Sequence, residues 1–409
     1  MTTERLYYTA AYQTEFDATL TALATVNDQP AVLLDRSCFY PTSGGQPFDT
    51  GALGGQTVVD VVAGENGEVW HLLAEAWQGV ALGGVVHGKV DWPRRYDHMQ
   101  QHSGQHLLSQ IFFQQFGFET VSVHFGPQAS TLDLAVASVE PAQLDEAERQ
   151  ANDLVYAVLP IKSYFVGEAE LSQVPLRRPP KVTGAIRIVE IDRFDYSACG
   201  GTHVRTTAEI GPIKLTGVER RRGQTRITFL CGKRALNDYV TKHRLLSEAA
   251  LLLSTEMAEV PGLIGRNLTQ LKELQRSLQE ATEQLLQYEA AELAAQAGGT
   301  DQPRVVQRLF ADRAADMVKT LAFQLQKQPK LVALLGAVAE GKLTLIFARS
   351  GDLDLHMGNL LRATLQHAGG KGGGRPDFAQ GGLADVAAGA ALLETAEKEV
   401  RRSIGTSGA

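Results

Sequence analysis

The spacing of apolar and polar positions changes character three times along the chain. Up to about residue 90, short apolar runs at 31–34, 57–62 and 85–86 are separated by Gly, Asn and Asp. Runs of that length between turn residues predict strands, and several at close spacing predict a small β-barrel over 1–90. From 91 to 235 the pattern alternates. A helix begins after Pro93, strand-like stretches fall at 120–124, 130–135, 186–191 and 225–230, and a second helix spans roughly 142–158. This segment is read as an α/β domain. Over 236–298 the period becomes helical. Leu271, Leu274, Leu278, Ala281, Leu285 and Tyr288 step by three and four, the seam of a coiled coil. That seam predicts either a hairpin with the preceding helix or a dimer contact. Gly298, Gly299 and Pro303 then mark a linker. The last segment, 299–409, is read as an α/β unit with a helix at 311–326, a strand at 342–347, a glycine-rich loop at 369–382 and a frayed end from 401. The fold class is therefore α+β in four parts.

The helix after Pro93 carries the chemistry. His102 and His106 are four residues apart, so a helix stacks both imidazoles on one face, where they can share one metal ion. His98 continues the ladder as a third ligand or a near neighbour. Two histidines do not complete a zinc shell. Cys199 and His203, in Cys-Gly-Gly-Thr-His about a hundred residues on, supply the missing thiolate and imidazole. One zinc per chain on His102, His106, Cys199 and His203 follows. Four protein ligands describe a closed shell. Three versions stay open: one ligand is loose, the shell expands to five, or zinc positions the substrate while another group places the water. His124, alone in a strand-like stretch, is read as core or as support for a ligand.

Composition narrows the class. The 409 residues exceed one hydrophobic core. No run of eighteen apolar residues and no basic-then-apolar leader are seen, so a cytoplasmic protein without membrane attachment is expected. The three cysteines, Cys38, Cys199 and Cys231, are too few and too scattered for a disulfide framework. A net charge of −7 argues against coating long nucleic acid. Local basic patches remain at Arg177-Arg178, Lys181 and Arg220-Arg221-Arg222. In the glycine-rich tail, Lys371 and Arg375 can meet phosphate, although no Ser or Thr follows Lys371 as a Walker loop requires.

Three motifs in order, Phe-Tyr-Pro-Thr-Ser-Gly-Gly-Gln from Phe39, His-Ser-Gly-Gln-His from His102 and Ser-Ala-Cys-Gly-Gly-Thr-His from Ser197, resemble the editing domain of alanyl-tRNA synthetase. The tail 369–382 resembles the C-terminal DHH-associated domain of that enzyme. With the aminoacylation core expected to be absent, the whole resembles the long form of the AlaX family, free-standing alanyl-tRNA editing proteins. The resemblance implies hydrolysis of tRNA(Ala) mischarged with serine or glycine. It implies that Gln46 lines the amino-acid pocket, and it puts Ser37 where the family usually has Thr. Ser37 keeps the hydroxyl and loses a methyl. A site that hydrogen-bonds the serine hydroxyl rejects alanine, which would leave buried polar groups unpaired. Gln46 and Ser37 are the residues expected to do so. Lys371, Arg375, Arg220, Arg221 and Arg222 are the expected tRNA contacts. A homodimer would use the helical arm or the C-terminal domain. The alternative readings are a zinc-stapled RNA-binding protein without catalysis and editing of a different aminoacyl-tRNA.

Overall fold

A computed structural model describes residues 2–180, 184–366 and 368–405, so Lys181 lies outside the described residues. The chain divides into two compact units, Met1–Leu252 and Leu253–Ala409. The boundary falls inside the stretch read as one helical arm. Helix Lys233–Leu252 belongs to the first unit and helix Val260–Gln296 to the second.

In the first unit, six strands pair antiparallel and close on themselves in the order Glu15–Val26, Gln29–Leu34, Val69–Leu73, Gln56–Ala63, Gly51–Leu53 and Val85–Val90. Closure leaves no unpaired sheet edge. The first hairpin turns on Asn27 and Asp28, both at positive φ, as a two-residue turn between twisted strands requires. Phe16, Ala18 and Leu20 point inward at alternate positions, joined by Leu34, Phe39, Val58 and Leu73.

Helix Trp92–Phe116 leaves this barrel and is buried along most of its length. Proline in its first turn sets the start, and Gly117, left-handed at φ 70°, ends it. A four-stranded sheet, in the order Ile213–Arg221, Gln224–Cys231, Ser130–Leu134 and Thr120–Phe125, packs against the helix. A three-stranded sheet of Ile161–Val166, Ile186–Ile191 and Asp195–Ala198 leads into the cysteine loop. Leu107, Leu108, Ile111 and Phe112 anchor the helix in the shared core. Gly104 makes the close pass possible, because a methyl there would stand 2.3 Å from Cys231 Sγ.

The second unit is a five-stranded sheet ordered Arg304–Phe310, Leu331–Ala339, Lys342–Arg349, Phe378–Leu383 and Lys371–Gly374. Alternate residues of its central strands feed two cores. Ala333, Leu335 and Ile346 pack under helices Val260–Gln296 and Ala315–Gln326, whereas Val332, Leu334 and Phe347 pack under Met357–Gln366 and Gly389–Gly405. The glycine-rich stretch is therefore a hairpin on the sheet edge, where the sequence reading had a loop. Its glycines fit because Gly372 and Gly381 face one another too closely for side chains. The final helix runs to Gly405, so 401–405 are helical where fraying was expected, and 406–409 lie outside the described residues.

Candidate metal centre

His102 and His106 sit one turn apart on helix Trp92–Phe116, both buried. Cys199 and His203 arrive on the loop after strand Asp195–Ala198. The ligand atoms of the four residues all lie within 4.8 Å of one another, a group that can hold one metal ion. Cys199 Sγ stands 3.4 Å from Nε2 of His102 and 3.4 Å from Nε2 of His203.

Each imidazole is held by its other nitrogen. His102 Nδ1 is 2.9 Å from Gln46 Oε1, His106 Nδ1 is 3.1 Å from Asp195 Oδ2, and His203 Nδ1 is 3.1 Å from Ser103 Oγ. An amide oxygen and a carboxylate only accept, so His102 and His106 each carry a proton on Nδ1 and leave Nε2 as the atom facing the other donors. Gln46 is itself fixed: Thr202 donates its backbone N–H to Oε1, and Nε2 donates to Thr202 Oγ1. The tight turn Ser43–Gln46, with Gly44 and Gly45 at positive φ, aims that side chain. Arg187 ties down the cysteine loop by donating to the carbonyls of Cys199 and Gly201. Gly201 must be glycine, since a methyl would stand 2.2 Å from His102 Cε1.

The electrostatics favour a thiolate. Burial opposes ionisation of Cys199, but His102 and His203 outweigh it and bring the thiol well below its ordinary range. Burial likewise opposes charge on His106, yet Asp195 and Cys199 raise it to about 9. Removing the carboxylate with Asp195→Ala is expected to weaken metal affinity about 10–100-fold, the usual cost of losing such a support. Competition with a chromogenic chelator measures it, and unchanged affinity would show that Asp195 does not orient His106.

A cavity of about 600 Å³ opens on His102, His106 and Cys199. Arg5, Arg177, Arg178 and Arg187 line it with Tyr8 and Phe165, and no Asp or Glu does among the described residues.

The other expected residues fall elsewhere. Gln46 is fully buried behind His102, outside the cavity lining. Ser37 is also fully buried, its hydroxyl 2.7 Å from His71 Nε2 and accepting the Phe39 N–H. His98 is buried but stays outside the donor group. His124 is exposed, not core. Arg220 and Arg221 end an exposed strand, with Arg222 in the turn after it. Lys371 and Arg375 lie on or beside the edge strand of the second unit, both exposed. Sequence reasoning missed Asp195, Ser103, Thr202 and Arg187. The first three sit within four residues of a ligand, and that proximity was the available signal.

Family models agree with this layout. Residues 2–94 match class II (A) tRNA synthetases, residues 186–228 the threonyl and alanyl tRNA synthetase second additional domain, and residues 301–402 the DHHA1 domain. Barrel, cysteine loop and C-terminal sheet thus define a protein of the synthetase-associated class. Alanyl-tRNA editing protein AlaX-M of Methanosarcina barkeri is 34% identical over 232 residues, 54% of this chain and 94% of that protein. AlaX-L of Pyrococcus horikoshii is 29% identical over 391 residues, 92% of this chain and 94% of that one. The chain belongs to the alanyl-tRNA editing protein family. Alanine–tRNA ligase of Thermococcus kodakarensis is 32% identical over 98% of this chain but only 44% of its own length. The chain spans less than half the length of the ligases it matches.

Proposed function

We propose that the protein hydrolyses the ester of tRNA(Ala) mischarged with serine, and with glycine, using one zinc ion. The observation that carries this reading is the cationic cavity opening directly on three of the four metal-ligand residues. Three imidazoles and one thiolate suit zinc. Bond lengths of ~2.3 Å to sulfur and ~2.0 Å to nitrogen give a tetrahedral S···N edge of ~3.5 Å, close to the 3.4 Å found. When bound, zinc supplies a Lewis acid beside the ester.

The chain's own residues do the rest. Gln46, Asp195 and Ser103 orient the imidazoles. Arg187 and Gly201 hold the loop against them. The cavity arginines accept the anionic tRNA end. Gln46 acts on the substrate through His102: it lies behind that imidazole, and Thr202 fixes its amide there. Ser37 acts from inside the barrel through His71, shaping the loop that carries Gln46. Side-by-side hydrolysis of seryl-, glycyl- and alanyl-tRNA(Ala) tests the reading. Zinc-dependent loss of the seryl ester is expected, and binding without hydrolysis would leave a zinc-stapled RNA-binding protein. The setting we infer is the cytoplasm, and no described helix is long and apolar enough to cross a membrane.

Lys371 and Arg375 in the second unit, with Arg220 to Arg222 in the first, are the tRNA contacts we infer beyond the site. Leu271, Leu274, Leu278, Leu285 and Tyr288 leave their seam exposed, and we infer that a second copy covers it. On another face of the same helix, Leu286, Ala290 and Leu293 enter the core of the second unit. A cut meant to remove that unit therefore belongs after Leu252, not at Gly298. The protein ending at Leu252 is expected to keep its metal and its hydrolysis but to bind tRNA more weakly, with a shallower salt dependence. Titrations of both proteins against salt check this, and identical slopes would remove the second unit from tRNA binding.

A further inference from the structure

A second cavity, of about 650 Å³, reaches the metal centre from another side. His203 lines it, whereas His102, His106 and Cys199 line the first. Tyr8 and Arg187 belong to both walls. Like the first, it has cations and no Asp or Glu in its lining among the described residues. Lys162 and Arg205 are exposed there, and neither has an ion-pair partner among the described residues. Glu190 stands opposite Lys162 in the strand ladder without reaching ion-pair distance. The Arg205 guanidinium lies 3.9 Å above the Tyr12 ring. Tyr12 is pinned in turn, its hydroxyl donating to Glu209 and accepting the Arg205 N–H.

A released amino acid does not explain this space. It is far smaller, and its ammonium would meet cations with no carboxylate to balance it. A polyanion carrying flat rings does fit. Lys and Arg side chains meet phosphates, and a guanidinium lying over an aromatic ring leaves its outer face to a nucleobase.

We propose that this second cavity binds the single-stranded RNA preceding the acylated terminal nucleotide. Lys162 and Arg205 contact successive phosphates, and the Tyr12–Arg205 pair carries a base. The strand then crosses the Tyr8–Arg187 wall, so that only its last nucleotide enters the first cavity. The proposal rests on the ester-hydrolase reading above.

The test uses the full-length protein and an uncharged RNA hairpin with a single-stranded 3′ end terminating in CCA. Binding is titrated against salt. A single-strand phosphate contact contributes about 0.7 to the slope, so Lys162→Ala and Arg205→Ala are each expected to flatten it by about 0.7 and to weaken binding roughly fivefold at 0.1 M salt. Arg205→Lys should restore the slope and not the full affinity, because the charge returns without the flat stacking face. Arg149→Ala, on an exposed helix face away from both cavities, is the matched loss of charge and should change neither quantity. If Lys162→Ala and Arg205→Ala behave as Arg149→Ala does, the second cavity is not an RNA site. Hydrolysis of seryl-tRNA(Ala) by the same wild-type preparation separates the two ideas. Its persistence would confine the failure to this subsite, and its absence would remove the underlying reading as well.

Discussion

Cys199→Ala is expected to yield a folded protein with close to no bound metal and no measurable hydrolysis of seryl-tRNA(Ala). Cys199 is the one thiolate in the donor group, and it touches both His102 and His203. Neither of the other cysteines can replace it. Cys38 is buried in the barrel, where burial pushes its thiol up to about 11. Cys231 packs against Gly104 on the far side of the helix, and burial raises its thiol further still. The fold should survive because its cores are built from Leu, Ile, Val and Phe on separate elements. Metal content by elemental analysis, hydrolysis and far-ultraviolet circular dichroism together check this. Full zinc occupancy in the folded variant would remove Cys199 from the shell.

The second large effect concerns discrimination. Seryl-tRNA(Ala) is expected to be cleaved on the order of 10⁴ times faster than alanyl-tRNA(Ala), the range reached when a site hydrogen-bonds a hydroxyl that the competitor lacks. Gln46→Ala should narrow that ratio by releasing His102, which faces the cavity. The same contact also supports the metal group. Zinc affinity should fall about 10–100-fold together with the selectivity. Measuring both esters at saturating zinc separates the two. A wild type that cleaves both at one rate would end the proposal that the hydroxyl is read.

The four residues of the candidate metal group were legible because each pair is local. Helical spacing stacks His102 on His106, and two glycines let Cys199 and His203 face one point. Asp195 was not legible in the same way. Its role depends on the register of a strand that brings it against a helix about ninety positions earlier, and no local period reports that. Strand Glu15–Val26 was missed because Phe16, Ala18 and Leu20 alternate with polar residues, so the strand contains none of the unbroken apolar runs from which the other strands were read. Strand Leu331–Ala339 was missed for the opposite reason: both of its faces are buried, so apolar residues run on without alternating. The glycine-rich hairpin read as a loop because its pairing rests on backbone alone.

Arg95 and Asp49 form a fully buried ion pair joining the histidine helix to the barrel, and Arg95 donates as well to the carbonyls of Cys38 and Ala11. Separating the helix from the barrel would strand a guanidinium with no carboxylate, at a cost of about 3–5 kcal/mol. The candidate metal site is therefore not a portable cassette beginning near residue 91, even though all four residues of its donor group lie beyond that point. Anyone grafting this centre onto another scaffold must carry the barrel with it.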